Sequence, residues 1–135
     1  RRVEASHLQT GKNRGLATPS GTYYIPIFSI VTMPKVKLTV LKVMDQKDIF
    51  KKSPVKQSKP LPPCHIHHEG QEFIVGPDLN MPEGFCHWAW STAKTPVKIL
   101  MFGGNYPWQE EPGVSVTCCT DGLRPVIYKV ERIEA

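Results

Sequence analysis

The chain has 135 residues, 40% of them hydrophobic and 21% charged, with a formal net charge of +5. That length argues for one domain with one ordinary core, and that balance excludes a disordered polymer and a membrane protein. Ten glycines and thirteen prolines exceed the usual ~12% share, so short elements and much loop are expected.

Residues 1–32 read as an N-terminal arm or extension. Its longest apolar run, Tyr23 to Val31, is broken by Pro26 and Ser29 and falls short of a membrane span of about 18–20 residues. The run also comes late for a secretion signal, and no small-x-small cleavage site follows it. Pro26 forbids a central strand but permits an edge. An apolar segment of this kind is expected to lie on a neighbouring subunit, which makes the protein a homo-oligomer. Met33 is a candidate start of the remaining domain, residues 33–135.

Residues 33–60 hold eight lysines and two aspartates, whereas residues 61–135 hold five basic and nine acidic residues. A basic segment can be a nucleic-acid footprint. Here no nucleic-acid motif accompanies it, so a lysine-rich solvated loop and an edge strand guarded by lysine are expected instead. A cytoplasmic location is expected.

Lys35 to Val43 alternates Val36, Leu38 and Val40 with Lys37 and Thr39, the pattern of a half-buried strand. Asp45 to Lys52 suits a short helix. Ser53 to Pro63 carries four prolines and reads as a loop. Gln71 to Val75 is a short strand stopped by Gly76-Pro77. Pro82 to Phe102 reads as a helix, with Phe85, Ala89, Ala93, Val97 and Leu100 at helical spacing. Pro96 is expected to kink or break it, and Gly103-Gly104 to end it. Trp90 should be well buried and Trp88, on the other side of the helix, exposed. Val114–Cys119 and Arg124–Ile133 are strands around the turn Thr120-Asp121-Gly122. The last strand alternates weakly, which suits burial on both sides. The sum is an α+β fold, a small antiparallel sheet with one kinked helix packed across it.

Chemistry concentrates in Cys64-His65-Ile66-His67-His68, followed by Glu69 and Glu72. In an extended chain His65 and His67 point to one side, as two imidazoles must to share a metal. The string HIHHEGQEFIVG resembles the first metal motif of cupins, and Pro82-Glu83-Gly84-Phe85-Cys86-His87 resembles the second. That resemblance implies a metal held by His65, His67, Glu72 and His87. Only fourteen residues separate Glu72 from His87, too few for the two strands a cupin needs there.

The cysteines are Cys64, Cys86, Cys118 and Cys119. Neighbours in a strand face opposite ways, so Cys118 and Cys119 are not expected in one site. A cysteine at a helix start has its thiolate favoured by the helix dipole, which marks Cys86 as a candidate reactive thiol. No CxxC, phosphate loop, GxGxxG or GxSxG is present.

The segments Pro82-Glu83-Gly84-Phe85-Cys86 with Ala89-Trp90, and Cys119 to Ile127 (CTDGLRPVI), resemble a family of short, cysteine-containing microbial proteins of unknown function. Val36 to Val43, Cys64, Glu69-Gly70-Gln71 with Phe73, and Gly103-Gly104 fit it too. The resemblance spans residues 33–134. It implies that Cys64, Cys86 and Cys119 are the characteristic cysteines, and it supplies no activity.

Three readings of function follow. The first is a transition-metal protein in which Cys64, Cys86 and Cys119 converge, with His65, His67 or His87 completing a zinc or iron site. The second is a thiol-dependent enzyme with Cys86 as nucleophile or redox thiol and His87 or His67 as its base. The third is a structural or partner-binding oligomer without chemistry. A helix-start cysteine beside a histidine and an open pocket would favour the second.

Overall fold

The structure, a computed structural model, describes residues 32–134. Residues 1–31 lie outside that range, and with them nearly all of the expected arm and its role in assembly. The described elements are β1 (Lys35–Val43), α1 (Gln46–Ile49), β2 (Glu72–Val75), α2 (His87–Met101), β3 (Val114–Cys118) and β4 (Val126–Ile133). The strands form one four-stranded sheet in the order β2-β1-β4-β3, antiparallel throughout. The fold is α+β, and α2 packs on one face of the sheet.

Alternation decides which face that is. Val36, Leu38 and Val40 of β1 lie in register with Val75 and Phe73 of β2 and with Val130 and Tyr128 of β4. All of these are buried. α2 covers them with Ala89, Ala93, Val97, Leu100 and Met101, the residues of one helical stripe. Burying each large apolar side chain contributes about 1.5–3 kcal/mol before the cost of ordering the chain.

The opposite face explains the lysines of β1. That strand is central, not an edge, so lysine is not guarding an open edge there. Lys37 Nζ lies 3.1 Å from Glu72 Oε1 and 3.5 Å from Glu131 Oε2. Lys129 Nζ lies 2.8 Å from Glu131 Oε1. The two Lys37 pairs cross strands and the Lys129–Glu131 pair lies within β4; all are part-exposed, and each is worth at most about 1 kcal/mol. β4 is not buried on both sides: Val126, Tyr128 and Val130 are buried, and Ile127, Lys129 and Glu131 are half-buried.

α2 is shorter than its spacing suggests. Pro82–Phe85 is a turn, closed by Phe85 N–H donating to Pro82 O at 3.1 Å, with Gly84 at φ 75°. The helix also continues through Pro96, which is buried against the core. Five residues follow the proline before the helix closes, so tertiary packing outweighs the lost backbone bond. The closure has the form expected of a Gly-Gly stop. Gly104 N–H donates to Ile99 O at 2.8 Å and Gly103 N–H to Leu100 O at 3.1 Å. Gly103 supplies the positive φ, 83°. A Cβ on Gly104 would meet Ile99 O at 2.8 Å. Arg132 of β4 then donates to Leu100 O and Gly104 O, placing a cation on the helix C-terminus.

Candidate functional site

The other end of α2 meets two loops, and there the chemistry-bearing residues gather. A cavity of about 390 Å³ opens among the Cys64–His67 segment, the start of α2 and the β3–β4 turn. Cys64, Cys86 and Cys119 all border it. All three are half-buried and free. Cys118 is exposed and does not line the cavity, as strand alternation requires.

Each cysteine is held by a different device. Cys86 is the N-cap of α2, and its carbonyl accepts the first helical bond from Trp90 N–H at 2.8 Å. Cys119 follows β3; its N–H donates to Val126 O at 3.0 Å and its Sγ accepts Val126 N–H at 3.3 Å. Thr92 of α2 donates to Cys118 O at 2.6 Å, which ties the helix to the end of β3. Cys64 sits behind the proline loop. Arg124 Nη1 reaches back to Pro62 O at 2.7 Å, while its Nε bonds Asp121 Oδ2 at 3.0 Å. The same aspartate caps its own turn through Leu123 and Arg124 N–H. Partial burial pushes the Asp121 carboxyl up. Hydrogen bonds from the Arg124 side chain and the two N–H groups outweigh it and hold the group below the usual carboxylate range.

The histidines part company. The segment from Cys64 to Gly70 is bent, not extended, so period-two facing does not apply to it. His67 is 4% exposed, while His65 and His68 face out. Cys86 N–H donates to His67 Nε2 at 3.3 Å. Nε2 is therefore the unprotonated nitrogen, and Nδ1–H points to Gln71 Oε1 at 3.4 Å. The ring packs against Phe73, Phe85 and Tyr128 with centroids 5.1–5.7 Å away. Burial lowers its pKa and keeps the imidazole neutral. His87 is exposed on the first turn of α2 and does not border the cavity. Glu72 pairs with Lys37 on the far face of the sheet. The four residues of the cupin-like set are thus dispersed, and their second segment is a turn leading into α2 in place of a barrel strand.

The sequence reading missed Tyr128. This residue of β4 is wholly buried, borders the cavity, and its hydroxyl has no hydrogen-bond partner. Burial, then the charges of Cys119, Cys86, Cys64 and Cys118, push the phenol well above its ordinary value, so it stays protonated. Inward alternation on the last strand was the available signal. Trp88 flanks the mouth and is 76% exposed. Trp90, expected to be well buried, is half-buried and stacks edge-on against Phe85.

Among the described residues, no three His, Cys, Asp or Glu side chains are grouped as a metal site. Both His67 nitrogens are already engaged, so a metal at the cavity would depend on sulfur alone. No helix of the described residues is long and apolar enough to cross a membrane. No protein-family model, curated protein or solved structure matches the chain.

Proposed function

We propose that the domain acts through a thiol, with Cys86 as its reactive group and His67 as the residue that holds its backbone in place. The observation carrying this reading is the meeting of the α2 N-terminus with a neutral imidazole. Nε2 of His67 lies 3.3 Å from the Cys86 backbone nitrogen, on a cavity also bordered by Cys64 and Cys119. A helix N-terminus favours thiolate over thiol. The Nε2 lone pair of His67 is already taken by Cys86 N–H, so the imidazole fixes the start of the helix and the thiol proton leaves to solvent. His87 faces solvent away from the cavity and is given no role in it. The resemblance to short cysteine-containing microbial proteins points at the same three cysteines and adds no activity.

Cys118 serves as an internal reference, being exposed and outside the cavity. Limited iodoacetamide labelling at pH 7, read peptide by peptide by mass spectrometry, should modify Cys86 at least about tenfold faster than Cys118. Cys86→Ser should remove the fast site and leave Cys118 unchanged. Equal rates at the two positions would sink the assignment.

A second reading is capture of zinc or iron by Cys64, Cys86 and Cys119, which their common cavity favours. It requires the three sulfurs to draw together around the ion at ~2.3 Å for zinc. Elemental analysis of untagged protein should then find one metal per chain. Metal-free protein that labels fast at Cys86 would leave the thiol reading alone.

A further inference from the structure

Two of the cysteines that border the cavity beside Cys86 are fastened very differently. Cys119 is fixed: its N–H donates to Val126 O at 3.0 Å and its Sγ accepts Val126 N–H at 3.3 Å. Cys64 makes no hydrogen bond to another described residue. Its segment is nonetheless tied to Cys86, because His67 in the same bent segment accepts the Cys86 N–H at 3.3 Å. Three residues span at most about 11 Å even when extended. Both thiols border one cavity of about 390 Å³. A shift of the Cys64 loop, not of a helix or strand, is what brings the two sulfurs together.

We infer that Cys86 and Cys64 form a redox pair, oxidised to a disulfide by a small uncharged hydroperoxide that enters this cavity. The inference rests on the thiol reading of Cys86. The lining suits such a molecule: Ile66, Trp88 and Val126 are apolar, while Thr120 and the Asp121–Arg124 pair are polar. Arg124 Nε lies 3.0 Å from Asp121 Oδ2, so the pair cancels its own charge and calls for no ionic ligand. Thr120 brings a hydroxyl, a group that can donate to a peroxide oxygen. The Cys86 thiolate, its proton gone to solvent, attacks the hydroxyl-bearing oxygen of the peroxide. A sulfur–oxygen bond forms and the oxygen–oxygen bond breaks. The leaving oxygen takes a proton from solvent and departs as an alcohol or water, and Cys86 is then a sulfenic acid. The Cys64 sulfur next attacks the Cys86 sulfur. The sulfur–sulfur bond forms, the sulfur–oxygen bond breaks, and the hydroxyl leaves as water with the Cys64 proton. Two electrons have passed from two thiols to the peroxide. A dithiol reductant returns the pair by exchange. Cys119, held by Val126, and Cys118, outside the cavity, stay thiols.

The test treats the reduced full chain with hydrogen peroxide at pH 7, blocks free thiols with N-ethylmaleimide, and maps the peptides without reduction by mass spectrometry. The expected product is a Cys64–Cys86 disulfide within one chain, formed at least about tenfold faster than any oxidation at Cys118. Dithiothreitol should reverse it. In Cys64→Ser the sulfenic acid has no thiol to meet, so dimedone should label Cys86 at least about tenfold more than in the natural chain. Cys119→Ser should form the same disulfide at a rate within about twofold. In the natural chain, a Cys86–Cys119 disulfide would overturn the pairing, and so would Cys86 driven to sulfinic acid with no disulfide. Iodoacetamide separates the two ways of failing. A Cys86 that labels fast but forms no disulfide with Cys64 would remove this inference alone. A Cys86 no faster than Cys118 would remove the thiol reading and this inference together.

Discussion

His67→Ala is expected to destabilise the domain by about 3 kcal/mol near neutral pH and to flatten its response to acid. The ring fills space between Phe73, Phe85 and Tyr128, and truncating a buried ring leaves a cavity that such a core closes only in part. The change also strips Cys86 N–H of its acceptor at the first turn of α2. A donor left without a partner adds about 1–3 kcal/mol unless water reaches it. The acid response follows from burial. His67 has its pKa lowered in the folded chain, while in the unfolded chain it titrates near the ordinary ~6.5. As pH falls below that value the unfolded state takes up a proton first. Stability is therefore unaffected by this group above ~6.5. It is lost from there down to the folded pKa, by up to about 1.4 kcal/mol per pH unit. Urea midpoints at pH 7 and pH 5 should show the natural chain losing more than the variant. Matching losses would mean that some other group carries the acid response.

That histidine also marks where the sequence stops being readable. β1 and the inward residues of β2 and β4 follow from period-two alternation, because a sheet with one covered face imposes that period on its residues. The stripe Ala89, Ala93, Val97, Leu100 follows from helical spacing for the same reason. The Gly-Gly stop is legible because two backbone hydrogen bonds and one positive φ leave little choice of residue. A break at Pro96 had a sound local reason, the missing N–H, yet the helix continues past Pro96, which lies buried against the sheet. β1 looked like an edge because its lysines were counted without the acids that β2 and β4 bring beside them.

The site is less legible because it is made between elements. Three cysteines could be singled out from the chain, and the structure brings Cys64, Cys86 and Cys119 to one cavity. Which histidine accompanies them depended on the path of a bent loop with no period to read. His65, His67 and His68 are equivalent as letters; the fold turns only His67 inward. Tyr128 looked like one more core residue on an alternating strand. Its unpartnered hydroxyl becomes visible only once the loops that fail to reach it are in place.

Arg124→Ala is expected to cost about 2 kcal/mol and to loosen Cys64 specifically. Two bonds are lost, Nη1 to Pro62 O at 2.7 Å and Nε to Asp121 Oδ2 at 3.0 Å. A hydrogen bond to a charged group contributes about 1.5–3 kcal/mol when shielded. The guanidinium side chain is 24% exposed and its carboxylate partner 39%, so water offsets part of that sum. The consequence for the site is larger than the energy suggests. Residues 53–63 carry few bonds of their own beyond the Ser53 turn with Val55, so Arg124 is what fastens the end of the proline loop to the β3–β4 turn. Without it, Cys64 should label faster with iodoacetamide, while Cys119, held by Val126, should change little. Tryptic cleavage after Lys56 should quicken in parallel, because local opening of that loop no longer breaks a charged bond. Arg124→Lys should restore at most one of the two contacts, since an ammonium lacks the planar fork that spans both acceptors. Unchanged Cys64 labelling and unchanged cleavage in Arg124→Ala would mean that the loop is fastened elsewhere.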